Sequence, residues 1–144
     1  MSRVVSVLPY VLAVYIAFVF VQSLFFKFSG AEESIYIFQT IEDWSGLAFF
    51  EPGMRIVIGA VELVASVLLF IPGLQVFGAL VALGVISGAI FFHLFSPLGI
   101  VVQGDGGLLF FMALGVFAAA VAIVVIRRNA LLGLLGKAPR PAVG

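Results

Sequence analysis

The chain contains no cysteine. That excludes a thiol–disulfide active site, a thiolate metal site and S-palmitoylation of this polypeptide. Charge is nearly as scarce: Asp, Glu, Lys and Arg together make up 10% of residues and balance to a formal net charge of zero. Soluble domains carry about 25%. A neutral balance offers no electrostatic footing for nucleic acid. There is one histidine, His93, so no second imidazole can complete a metal site with it, and no metal is expected. A repeat of fixed period is also missing.

What fills the chain instead is apolar. Hydrophobic residues reach 64% of 144 residues, with mean hydropathy +1.33, and glycine and phenylalanine each number 16. That length suits a single domain. That composition suits helices in lipid, where small residues let backbones approach and every peptide group must be satisfied internally.

Apolar runs at 8–28, 53–71, 75–95 and 108–126 are each near the roughly 20 residues needed to cross a bilayer. Arg3 before the first run resembles the start of a signal peptide. However, the run exceeds the usual h-region of about 7–15 residues, and no A-x-A-like site closes it. It reads as a span, with Pro9 in its first turn. The expected fold is an all-α membrane protein: an antiparallel four-transmembrane-helix bundle with a short amphipathic interfacial helix between spans one and two. Residues 127–144 form a basic cytoplasmic tail carrying Arg127, Arg128, Lys137 and Arg140, with Pro139 and Pro141.

The connections have local signatures. Ser29-Gly30-Ala31-Glu32 matches the S-x-x-E capping box and predicts a helix to about Asp43, with Ile35, Phe38 and Ile41 on its apolar side. Tyr36 and Trp44 are its interface anchors, and it reads as a lid on the bundle in preference to a partner-binding helix. Glu51-Pro52 reads as an acidic cap with proline in the first turn of span two. The stretch from Ile71 through Pro72-Gly73 to Leu74 allows only a tight hairpin. Gly84-x-x-x-Gly88 is a small-residue pair suited to close helix contact, and Asp105 reads as the cap of span four.

Span two carries the charges that hydrocarbon disfavours. At about 100° per residue, Arg55, Gly59, Glu62 and Ser66 fall on one stripe, with Val57, Ile58, Leu63, Val67 and Phe70 mostly elsewhere. Each buried charge costs roughly 2.5–3.5 kcal/mol on insertion scales, so the stripe should face protein. The positive-inside rule sets the orientation. Arg3, Arg127, Arg128, Lys137 and Arg140 lie on the terminal side, and Glu32, Glu33, Glu42, Asp43, Glu51 and Asp105 on the other, which places both termini in the cytoplasm. Lys27, Arg55 and His93 then lie near the outer surface, with Glu62 about 10 Å deeper than Arg55. Lys27, Arg55, Glu62 and His93, joined by Gln22 and Asp105, are the candidate ligand-binding residues of one outward-facing funnel. Glu62 and His93 are its candidate proton-handling groups.

Several of these segments resemble the DoxX-like family of small four-helix bacterial membrane proteins. They are Phe26-Lys27-Phe28-Ser29-Gly30; Arg55-x-x-x-Gly59-x-x-Glu62-Leu63 followed by Leu68-Leu69-Phe70-Ile71-Pro72; Gly78-Ala79-Leu80 with Ser87-Gly88-Ala89-Ile90-Phe91-Phe92-His93; and Gln103-Gly104-Asp105-Gly106-Gly107. The resemblance implies a bundle in the bacterial inner membrane and a loose link to redox metabolism, since some members look like quinone-reducing membrane subunits.

Two functions compete on this reading. One is a redox-linked subunit that binds a quinone or similar head group, with Lys27 and Arg55 stabilising the reduced form and electrons coming from a membrane or peripheral protein partner. The other is a non-enzymatic scaffold or accessory subunit whose buried charges are structural. A solute or proton conduit is disfavoured because span four is apolar from Leu108 to Ile126. The bilayer is a partner in either case. Small-residue faces on spans three and four permit a homo-oligomer without requiring one.

Overall fold

The computed structural model describes residues 3–134, which are helical apart from the connections, with no strand among them. Lys137, Pro139, Arg140 and Pro141 of the expected tail lie outside the described residues. The helices are α1 (Arg3–Ser29), α2 (Glu32–Ser45), α3 (Arg55–Leu68), α4 (Gln75–Phe95), α5 (Leu108–Ile126) and the short α6 (Arg128–Leu134). A π-type turn, Phe50–Met54, leads into α3.

Three helices, α1, α4 and α5, are long and apolar enough to cross a membrane. α3 spans only 14 residues. It replaces the longer expected run because Glu51 departs from helical geometry (φ −121°, ψ 117°) before it and a turn at Leu69–Phe70 follows it.

Residue pairs at the helix ends fix how the elements lie together. The end of α1 meets the start of α3, where the Phe28 ring covers Gly59. The end of α3 meets the start of α4, where Gly78 faces Ala65 and Leu69. The end of α4 meets the start of α5 through His93 and Phe110, whose ring centroids are 5.5 Å apart. The start of α1 returns to the end of α5, where Arg127 donates to the Ser6 carbonyl at 3.4 Å. Midway, the Tyr15 hydroxyl donates to the Met112 carbonyl at 3.1 Å, and Gly115 leaves the space that the phenol occupies.

The shared interior consists largely of small or branched side chains: Ala13, Ile16, Ala65, Ala79, Ala82, Ala113, Val116 and Ala120, with Phe20 as the large filler. The outer faces are just as apolar and are exposed, as with Val7, Val11, Val14, Phe18 and Phe25 along α1 and Leu108, Phe111 and Val125 on α5. Water does not tolerate so continuous an apolar surface, and lipid does. The described fold is that of a multi-pass membrane protein.

Several local expectations are corrected. Ser29 does not cap α2. It is the last residue of α1, which ends in a Schellman arrangement: Gly30 takes φ +68°, Ala31 N–H donates to the Phe26 carbonyl at 3.0 Å, and Gly30 N–H to that of Lys27 at 3.4 Å. The Ser-Gly-Ala-Glu run thus serves the helix before it, and α2 starts after Ala31 with no side-chain cap. α1 begins at Arg3, so Pro9 lies inside the helix and not in its first turn. Gly84 and Gly88 contact nothing that a methyl group would meet, and the close α3–α4 approach is made by Gly78 instead.

α2 lies across the end of the bundle. Phe38 and Ile41 join Phe50 in a second buried cluster that also touches Ile58 and Phe92, and the Trp44 ring meets Phe92 edge-on at 6.3 Å. The Glu42 carboxylate accepts the Glu51 N–H at 3.2 Å, tying α2 to the turn ahead of α3.

Candidate functional site

The polar stripe of α3 faces inward: Arg55, Gly59, Glu62 and Ser66 are buried, while Val57, Leu63, Val67 and Phe70 are exposed. The i, i+4, i+7 spacing places the first set against α1, and what it meets there is Lys27. Lys27 Nζ lies 2.8 Å from Glu62 Oε1, with both side chains largely shielded. Lys27 also donates to Ser23 Oγ one turn earlier on α1. Glu62 Oε1 is buried, with the Lys27 ammonium as its charged neighbour. At 2.8 Å the contact is a charge pair between two shielded groups.

Arg55 does not reach Glu62 as a partner. Its Nε donates to both oxygens of Glu51 at 3.0 Å, and its Nη1 donates to the Lys27 carbonyl. The latter bond adds a second donor to a helix-end carbonyl that otherwise has only the long 3.4 Å contact from Gly30 N–H. Glu51 is therefore the acid that holds Arg55 in place, and the expected helix cap at Glu51 is replaced by this side-chain pair. The guanidinium fork suits such a task because it stays charged and presents several fixed donors.

The remaining candidates make their side-chain hydrogen bonds elsewhere or, for Gln22, make none among the described residues. His93 is buried at the end of α4, with Nδ1 2.7 Å from the Gly99 carbonyl. A carbonyl can only accept, so Nδ1 carries the proton and Nε2 is the free ring nitrogen of the neutral form. Asp105 ties down the loop after α4: its carboxylate accepts the N–H groups of Val102 at 3.0 Å, Gly107 at 2.8 Å and Leu109 at 3.2 Å. Gly107, not Asp105, occupies the cap position of α5, and Asp105 caps from two residues upstream. Burial pushes the Asp105 carboxyl up, but the three backbone donors and nearby His93 outweigh it and hold the group below the usual carboxylate range. No hydrogen bond or ion pair joins His93 or Asp105 to Lys27, Arg55 or Glu62 among the described residues. Gln22 is exposed on α1 and makes no side-chain hydrogen bond there, so it does not belong to the cluster.

The polar residues thus form two groups at one end of the bundle, an ionic clasp between α1 and α3 and a loop anchor between α4 and α5. Ser23 and Glu51 are functional partners that the charge stripe alone did not point to. The signal for Ser23 was its spacing of four from Lys27 on one helix. No group of three or more His, Asp or Glu side chains suited to a metal occurs among the described residues.

No family model, curated protein or solved structure matches this chain. The likeness to the DoxX-like family rests on the quoted motifs alone.

Proposed function

We propose that this chain is a non-catalytic accessory or scaffold subunit of the bacterial inner membrane, with DoxX-like character. Four helices cross the bilayer as an antiparallel bundle, the fourth crossing being made by α3 with its preceding turn. Both termini are cytoplasmic. This orientation is supported by Arg3, Arg127 and Arg128 at one end and the acids of α2, Glu51 and Asp105 at the other.

The observation that carries the reading is that the buried charges satisfy one another. Glu62 takes Lys27, Glu51 takes Arg55, and Arg55 returns to the Lys27 carbonyl. Such a closed set fastens the end of α1 to the start of α3 and holds that end of the bundle for a membrane or peripheral protein partner.

A second reading is a site for a quinone or similar polar head group, supported by the buried Lys27–Glu62 pair, since one ammonium does not use all the lone pairs of a carboxylate. A hydroxyl-bearing ring would donate there. Glu62→Gln separates the two: it keeps shape and removes charge. The scaffold reading expects lost stability and no binding of quinone analogues by either protein. Analogue binding by the parent chain that weakens or loses its pH dependence in Glu62→Gln would overturn it in favour of the head-group site. Co-purification from native membranes would identify the partner in either case.

A further inference from the structure

The far end of the bundle, away from the ionic clasp, holds a cleft of about 220 Å³ that neither reading uses. It opens between Tyr10 of α1, the Pro72-Gly73 turn that joins α3 to α4, and Arg127 at the end of α5, with Ala130 of α6 at its edge. Drug-sized ligands occupy pockets of about 300–1,000 Å³. This cleft is smaller and suits a compact charged group.

Its chemistry is set by Arg127, whose orientation is fixed. Arg127 Nε donates to Gln75 Oε1 at 2.9 Å, and the Gln75 amide in turn donates to the Leu69 carbonyl at 3.0 Å. Gln75 is 3% exposed, so the amide that steers the guanidinium is a buried, fully engaged group. The guanidinium carbon stands 5.8 Å from the centroid of the Tyr10 ring, and Nη2 reaches the Ser6 carbonyl at 3.4 Å. Nη1 has no hydrogen-bond partner among the described residues. No acidic side chain lines the cleft among the described residues. A pre-oriented arginine with an unused donor edge, no counter-charge, and a tyrosine beside it at the end of lipid-exposed helices is the arrangement that meets a phosphate at the headgroup level.

We propose that this cleft binds the phosphate of an anionic phospholipid, with Arg127 as the ligand to phosphate and Gln75 as its positioning residue. The idea rests on the chain being membrane-embedded. Failure of that premise would show separately, as protein that does not partition into membranes at all.

The test uses the full chain purified in a neutral detergent and titrated with phosphatidylglycerol or phosphatidylcholine, read by native mass spectrometry and by melting temperature. Phosphatidylglycerol is expected to bind and stabilise in preference to phosphatidylcholine. Arg127→Gln is expected to weaken that binding by roughly fivefold, the scale of one basic side chain at an anionic surface. Because Arg127 also holds Gln75 and Ser6, a second variant leaves those contacts intact. Ala130→Glu places a carboxylate at the cleft edge and should weaken phosphatidylglycerol binding at least as much. Equal binding of the two lipids, or phosphatidylglycerol binding unchanged in Ala130→Glu, overturns the proposal. A response to inorganic phosphate with none to phosphatidylglycerol would assign the cleft to a soluble phosphate and overturn the lipid assignment.

Discussion

Lys27 and Glu62 meet at 2.8 Å across the α1–α3 interface, and among the described residues each is the other's ion-pair partner. Breaking a buried pair strands a charge at a cost of about 3–5 kcal/mol, whereas replacing both partners by apolar groups of similar size is often neutral or stabilising by about 1–4 kcal/mol. Lys27→Met and Glu62→Leu alone should each lower stability by the first amount. The double variant should recover most of it. Denaturation of the four proteins in mixed micelles measures this, and a double variant as weak as the sum of the singles would show that the pair is not the coupled unit described.

The α3–α4 contact makes a sharper comparison between two glycines of one helix. A methyl at Gly78 would lie 2.7 Å from the Leu69 backbone nitrogen and 3.0 Å from the Ala65 carbonyl oxygen, atoms that cannot move without shifting the end of α3. Gly78→Ala should therefore destabilise by about 1–3 kcal/mol, the usual range for overpacking. A methyl at Gly84 would meet nothing within 4 Å. Gly84→Ala should be neutral, or stabilising by up to about 1 kcal/mol from helix propensity. Equal effects at the two positions would contradict the helix faces assigned here.

Asp105 predicts an acid limb in the stability profile. Three backbone N–H groups favour its charged form in the folded chain, so the folded protein releases this proton more readily than the unfolded chain does. The stabilisation is fully present above the unfolded value of about 3.9. It is lost as pH falls through the lower folded value. Asp105→Asn should flatten that limb and cost about 0.5–2 kcal/mol at neutral pH, the range for losing a capping side chain. Melting temperatures from pH 2.5 to 7 for both proteins provide the check, and an unchanged acid limb in Asp105→Asn would place the effect elsewhere.

The lack of cysteine gives a silent background for topology. Glu33→Cys on α2 and Asn129→Cys on α6 both replace exposed residues. In intact cells a membrane-impermeant maleimide should label the first and spare the second. The reverse pattern would invert the proposed orientation, and labelling of both would break the odd–even logic of four crossings.

How much of this was legible in the sequence follows from the reach of each signal. The inward face of α3 was legible because charges in lipid have one tolerable direction and helical spacing then fixes the rest. The helices at Gln75–Phe95 and Leu108–Ile126 were legible because turn residues bound each apolar run. Ser29 misled because one short motif can end a helix as well as start one, and Gly30 at φ +68° settles that contest through backbone geometry. Gly84 and Gly88 misled because a small-residue pair says that a close contact is allowed, not which face has a neighbour. Direct bonds from His93 or Asp105 to Lys27, Arg55 or Glu62, which are absent among the described residues, depend on how two helix pairs sit, and spacing along one chain carries no such distance. The Gln75–Arg127 bond lies 52 residues apart in sequence and was invisible for the same reason.

The brevity of α3 bears on the bilayer itself. Its 14 residues rise about 21 Å, against a hydrocarbon thickness of about 30 Å. If α3 makes the proposed fourth crossing, the remaining roughly 9 Å of that flank falls to the Phe50–Met54 turn and α2. On the proposed four-crossing arrangement the lipid beside this flank would thin to match it, a one-sided mismatch that would favour neighbours approaching from that side.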